Sequence, residues 1–225
     1  MSSSQPTSVA ATAAKPLLRG WLHLVCFFLA IPAGVVVIAL ATSSRARAGA
    51  AIYAFGLVVL FGVSGFYHRG RWSPTWRLRM RRLDHATIFV MIAGTYTPLC
   101  LLVLEGWVAV AMLVTAWTGA AVGALLAWSG GRRSSALRSG LYIALGWAVL
   151  VAAPQLLSRL SSAELVLIAV GGILFTIGAI TLATHWPDPF PRVFGNHEVW
   201  HTFVVAAVIC HLVAIGSVVH GAGAT

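Results

Sequence analysis

The chain has 225 residues, enough for one domain or two small ones. Hydrophobic side chains make up 59% of it and charged ones 9%, against about 25% charged in a soluble domain, and mean hydropathy is +0.90. The 15 basic and 5 acidic side chains cannot coat a water-soluble fold of this size, which leaves an integral membrane protein.

The net charge of +10 does not point to nucleic acid, because 14 of the 15 basic residues are Arg set in short gaps between apolar runs. No basic domain with interleaved exposed aromatics is present, so no nucleic-acid partner is expected. Cys26, Cys100 and Cys210 stand alone inside apolar runs without a CxxC spacing, and read as core thiols.

Residues 1–20 are rich in Ser, Ala, Thr and Pro, with Lys15 and Arg19 as their charges. That composition cannot bury a core and predicts a disordered N-terminal tail, with residues 21–225 forming one transmembrane domain. The apolar run that follows is too long for the core of a signal peptide, and more such runs come after it. A spanning helix needs about 20 apolar residues. Seven stretches qualify: 21–42, 49–68, 85–104, 107–128, 140–157, 163–184 and 199–220. The fold class is therefore all-α integral membrane, a seven-transmembrane helix bundle. Only Glu105 and Gly106 separate the third and fourth stretches, which predicts a tight antiparallel hairpin. Pro32, Gly94, Pro98, Gly171 and Gly172 inside the runs are tolerated in lipid, where neighbouring groups re-satisfy the backbone. Alternating runs of about ten residues, the mark of a membrane barrel, are not seen.

Orientation follows from the placement of Lys and Arg. One side carries Lys15 and Arg19, six arginines between Arg69 and Arg82, then Arg132, Arg133, Arg138 and Arg192, twelve in all. The other side carries Arg45, Arg47 and Arg159. This excess predicts a cytoplasmic N-terminus and an extracytoplasmic C-terminus in a multi-pass plasma-membrane protein. The arginine-rich loop 69–82 is also expected to touch anionic lipid headgroups.

Polar groups at membrane depth are costly and are functional candidates by default. Ser64 and His68, four apart, share a helix face at the end of the second stretch. Asp84 opens the third stretch on the same side, and His197 and His201, again four apart, open the seventh. Five polar groups from three distant segments thus meet in one layer. Three neutral imidazoles suit zinc, whose catalytic sites combine three protein ligands with a water. His68, His197 and His201 are the candidate ligands. Asp84 is left as a partner of a ligand or as base for a metal-activated water, and Ser64 could bond a ligand oxygen or polarise a substrate carbonyl.

Residues His197-Glu198-Val199-Trp200-His201 match the HExxH pattern of zinc proteases, but the third ligand of such sites usually lies downstream. Here His211 is ten residues beyond His201, about 15 Å along a helix, and cannot close the site. His68 is better placed, which weakens the protease reading, although Glu198 could still assist. Among the other histidines, His23 is expected to make an interhelical hydrogen bond, and His85 points away from Asp84. His185 is the leading substitute ligand, and His211 and His220 fall toward the far side of the membrane.

Several segments resemble one family: Arg19-Gly-Trp-Leu-His23, Phe61-Gly-Val-Ser-Gly-Phe-Tyr-His68-Arg69, Arg82-Leu-Asp-His-Ala-Thr-Ile-Phe89, Ala93-Gly-Thr-Tyr-Thr-Pro98 and His197-Glu-Val-Trp-His201. In this order they are similar to the bacterial hemolysin III family. That family belongs with the progestin and adiponectin receptors and, more distantly, with the alkaline ceramidases. The resemblance covers roughly residues 17–220. It implies a seven-helix bundle with an intramembrane zinc near the cytoplasmic face, ligated by His68, His197 and His201. It implies water positioning by Asp84 and an accessory role for Ser64. The chain departs at Asn196, where an aromatic is common, a packing position that touches no implied ligand.

The function expected from residues and resemblance together is zinc-dependent hydrolysis of an amide or ester bond in a membrane lipid. The alternative is a non-enzymatic membrane protein with structural zinc, either a lytic pore-former or a receptor-like sensor of membrane state. A receptor for a protein hormone is poorly supported, because the loops on the outer side are short. Substrate and oligomeric state are not legible in the chain.

Overall fold

A computed structural model describes residues 15–129 and 132–222. Its elements are α1 (Trp21–Ala39), α2 (Ser44–Arg69), α3 (Pro74–Leu102), α4 (Gly106–Ser129), α5 (Arg132–Trp147), a 3-10 turn (Ala148–Ala152), α6 (Ala153–Arg159), α7 (Ser162–Thr184) and α8 (Asn196–Gly221). Among the described residues, seven segments are long and apolar enough to cross a membrane, the fifth being Leu137–Arg159. The protein is a multi-pass membrane protein of the all-helical class.

Helix starts are written in the sequence. The Ser43 Oγ accepts from the Ala46 N–H at 3.1 Å, and Ser73 caps α3 ahead of Pro74. Ser161 and Glu164 form a reciprocal capping box on α7. The α3–α4 hairpin is as tight as expected: Val103–Glu105 connect the helices and Gly106 takes a left-handed φ of 58°. Glu105 is clasped there from α6, accepting from Arg159 at 2.6 Å, while its N–H donates to Gln155 at 2.8 Å.

Two boundaries differ from the sequence expectation. The arginine-rich segment 69–82 is mostly not a loop, because α3 already begins at Pro74 and only residues 70–73 connect it to α2. Hydropathy misses this polar extension, which projects beyond the apolar part of the helix. The fifth span is not one regular α-helix. Pro154 lacks an N–H and its ring would crowd the Leu150 carbonyl, so the chain passes through a 3-10 turn before α6. Tyr96 of α3 reaches into this break and donates to the Leu145 carbonyl at 2.8 Å.

The packing is that of a bundle in lipid. Large apolar side chains face outward, among them Trp107 at 75% and Leu125 at 70% exposure, a surface that water would not tolerate. Helices α2 and α3 are the inner pair, with 61% of their spans buried against 17–22% for α1, α4, the fifth span and α7. Small residues bring neighbours close: a Cβ on Gly65 of α2 would stand 2.9 Å from the Leu24 backbone of α1. Residues 15–20 form a strap across the arginine-rich end, with the Leu17 and Leu18 N–H groups donating to the carbonyls of Arg192 and Val193 at 3.0 Å. Residues 1–14 of the expected tail lie outside the described residues.

Candidate metal centre

Two helix ends and one passing helix build the site. The last two turns of α2 supply Ser64 and His68, both buried, and the first turns of α8 supply His197 and His201, the latter 3% exposed. The fourfold spacing on each helix puts each pair on one inward face. Helix α3 passes alongside with Asp84, whose side chain is 14% exposed.

The His68 and His197 Nε2 atoms are 3.1 Å apart. Ring centroids lie at 4.7 Å for His68–His197, 5.3 Å for His68–His201 and 4.4 Å for His197–His201. One ligand nitrogen from each of the three can be chosen so that all lie within 4.8 Å of one another. A tetrahedral ion with bonds of about 2.0–2.1 Å wants its ligand nitrogens about 3.3 Å apart, so modest side-chain adjustment converges the trio on one ion. Two imidazole nitrogens facing each other with a single proton between them also leave the third ring without a mate, whereas a cation satisfies all three lone pairs. The donor set therefore fits a metal.

Asp84 Oδ2 lies 4.0 Å from His68 Nε2, and Ser64 is buried one turn back from His68 on α2. All five residues singled out from the sequence thus stand together. His185 does not join them: it is exposed at the left-handed C-cap of α7. His211 lies against Ile168 and Phe175 on α7, and His85, whose carbonyl accepts from Tyr142, is not among the trio whose nitrogens converge.

Two further residues belong to the site. His23 of α1 does not make the expected interhelical hydrogen bond. It is buried, neither ring nitrogen has a hydrogen-bond partner, and its ring lies flat on His201 at 3.7 Å with 3° between planes. A metal in the plane of one stacked ring lies well outside the plane of the other, so this geometry makes His23 a cover of the cluster and not a fourth ligand. Glu198, the acid of the HExxH pattern, turns away from the three histidines. Its Oε2 accepts from the Gly195 N–H at 2.9 Å and its Oε1 pairs with Arg19 of the strap. Lys15 donates to the His68 carbonyl, closing the C-terminus of α2. Burial, with the cations of Arg69, Arg19 and Arg77 nearby, holds the Lys15 ammonium below its usual range.

Comparison with known proteins agrees with this architecture. Residues 11–212 match the family model described as Haemolysin-III related. Hemolysin-3 of Bacillus cereus is 32% identical over 187 residues, covering 81% of this chain and 82% of that protein. The Hemolysin-3 homolog of Bacillus subtilis (strain 168) is 30% identical over 186 residues, covering 81% and 84%. The monocyte to macrophage differentiation factor of Homo sapiens is 26% identical over 171 residues, covering 73% and 67%.

Proposed function

The chain belongs to the haemolysin-III-related family, and we propose that this member holds a zinc ion on His68, His197 and His201 to hydrolyse an amide or ester bond in a membrane lipid. The observation that carries the reading is the buried trio of imidazoles beside a carboxylate, at the end of a bundle whose outer surface is made for lipid. Zinc on three protein ligands keeps a position for water and lowers the pKa of that water to about 7. Asp84 is the base: its Oδ2 takes the proton of the attacking water and returns it to the leaving amine or alcohol. Ser64 orients that carboxyl group. The His23 ring and the strap keep bulk water from the cluster.

Metal analysis of the purified protein tests the ligand set. Wild type is expected to hold about one zinc per chain, as a three-ligand site implies, and His68→Ala and His201→Ala to lose it. Unchanged metal content in both variants would end the reading. Asp84→Asn is expected to keep zinc and to lose lipid hydrolysis in reconstituted vesicles; equal turnover by variant and wild type would defeat the role given to Asp84.

The competing reading, a lytic membrane protein with structural zinc, draws on the printed names of the Bacillus relatives. Among the described residues, the buried polar side chains His23, Ser64, His68, Thr87, Thr181, Glu198 and His201 lie toward one end of the bundle, and Thr97, near the other end of α3, spends its hydroxyl on the Ala93 carbonyl of its own helix. They do not line a path from face to face, as a pore would require. Dye leakage that survives removal of zinc would favour the lytic reading.

A further inference from the structure

Consecutive helices of this bundle are tied by their connecting segments, whereas the last helix meets the first with no connection between them. Helix α1 makes its close approaches to α2, at Gly65–Leu24 and at Gly34, where a Cβ would stand 2.9 Å from Ala54. Helix α8 makes its own to α7, where a Cβ on Gly178 would stand 2.7 Å from Trp200. The α1–α8 seam is gapped at both ends. Toward the arginine-poor end, a groove of about 510 Å³ runs between Val36 and Leu40 of α1 and Leu212 and Gly216 of α8. At the level of the histidines, a cavity of about 370 Å³ opens between Trp21, Leu22 and Val25 of α1 and Val205 of α8. Buried His201 and Glu198 line its inner side, and exposed Thr202 stands at its edge.

We propose that this cavity is a side door through which one acyl chain of a membrane lipid reaches the histidine cluster from the bilayer. Its mouth is continuous with the lipid-facing surface: Val25 is 52% and Trp21 45% exposed. Its walls are apolar and offer a soluble polar molecule almost no hydrogen bond, while its size falls in the usual range of small-molecule sites, about 300–1,000 Å³. The buried polar groups of its lining are Glu198 and His201, so a lipid lying along the wall brings its polar linkage to the cluster. The His23 ring stacks on His201 at this level. That the lipid is a substrate rests on the hydrolytic function proposed above; that a lipid chain enters the cavity does not.

The test is photolabelling of the full chain in phosphatidylcholine vesicles doped with a phosphatidylcholine bearing a diazirine on one acyl chain. Glu198 and His201 are each 3% exposed, so a chain that merely coats the outer surface does not reach them. Wild type is expected to form adducts at both, and also at Val110 of α4, a lipid-facing control that is 63% exposed. Val25→Trp, which fills the mouth from a lipid-facing position, is expected to reduce the Glu198 and His201 adducts severalfold and leave Val110 unchanged. Val205→Trp should do the same from the α8 side, a safeguard if one variant folds poorly. Adducts absent from Glu198 and His201 in wild type, or undiminished in both variants, overturn the proposal. Labelling that persists after zinc is chelated supports it, and adducts formed without any hydrolysis would dismiss the enzymatic reading while leaving the door in place.

Discussion

Glu198 shows how a residue inside a metal-protease motif can be taken out of the chemistry by its neighbours. One carboxylate oxygen satisfies the Gly195 N–H at the start of α8 and the other neutralises Arg19, so the acid fastens the strap to the helix. Glu198→Gln keeps the shape and removes the charge, leaving Arg19 without its counter-ion. The variant should lose about 1.5–3 kcal/mol of stability, the range for a hydrogen bond to a charged group, while retaining zinc. Thermal unfolding in detergent alongside metal analysis checks this; full loss of zinc from a folded variant would return Glu198 to the metal site. The five-residue pattern is legible in the sequence, but the direction of its acid is not, because Arg19 comes from the far end of the chain. His23 is missed for the same reason. A single histidine in an apolar run carries no spacing signal, and its partner His201 is brought to it only by closure of the bundle. His23→Phe keeps a ring over His201 and removes two unpartnered buried nitrogens, each of which costs about 1–3 kcal/mol when desolvated. The expected result is a higher unfolding temperature with zinc retained, whereas loss of zinc would make His23 a ligand.

At the scale of the helix, the fourfold spacings were enough to place Ser64 with His68 and His197 with His201, since each pair needs only its own helix. What the apolar runs could not give was where a helix continues into water. The Arg-rich start of α3 is polar, yet Arg, Leu and Met are good helix formers, and Ser73-Pro74 is a recognisable start signal once hydropathy is set aside. The extension matters to the site, because Asp84 then lies a few turns inside a continuous helix instead of at a frayed end. Close approach of α1 to α2 holds the other wall. Gly65 follows Ser64 directly, and an added Cβ there would meet Leu24 backbone atoms that cannot swing aside. Gly65→Ala is expected to push the helices apart and cost about 1–3 kcal/mol, the usual penalty of overpacking. Gly172→Ala, where a Cβ meets nothing within 4 Å, is the control and should be neutral or slightly stabilising. Equal unfolding temperatures for the two variants would show that α1 can move away freely.

For the whole molecule, composition decides the solvent and charge decides the direction. The apolar outer surface fixes the bundle in a bilayer, but apolar surface is the same from either side and says nothing about which end faces in. The Lys and Arg residues carry that information, with twelve at the end that holds His68, Asp84, His197 and His201 and three at the other. The few acids do not offset this asymmetry: Glu105 sits at the arginine-poor end, bound to Arg159, which holds its carboxyl below the usual carboxylate range. A chain inserted with the twelve cations outside would have to carry them all across the membrane. The expected topology therefore has the histidine cluster beneath the inner leaflet, the N-terminus in the cytoplasm and the C-terminus outside. Reporter fusions decide it. Green fluorescent protein on the N-terminus should fluoresce, and alkaline phosphatase on the C-terminus should be active. The reverse pattern would move the cluster, its strap and the cavity beside His201 to the outer leaflet, and with them the pool of lipid that the site can draw on.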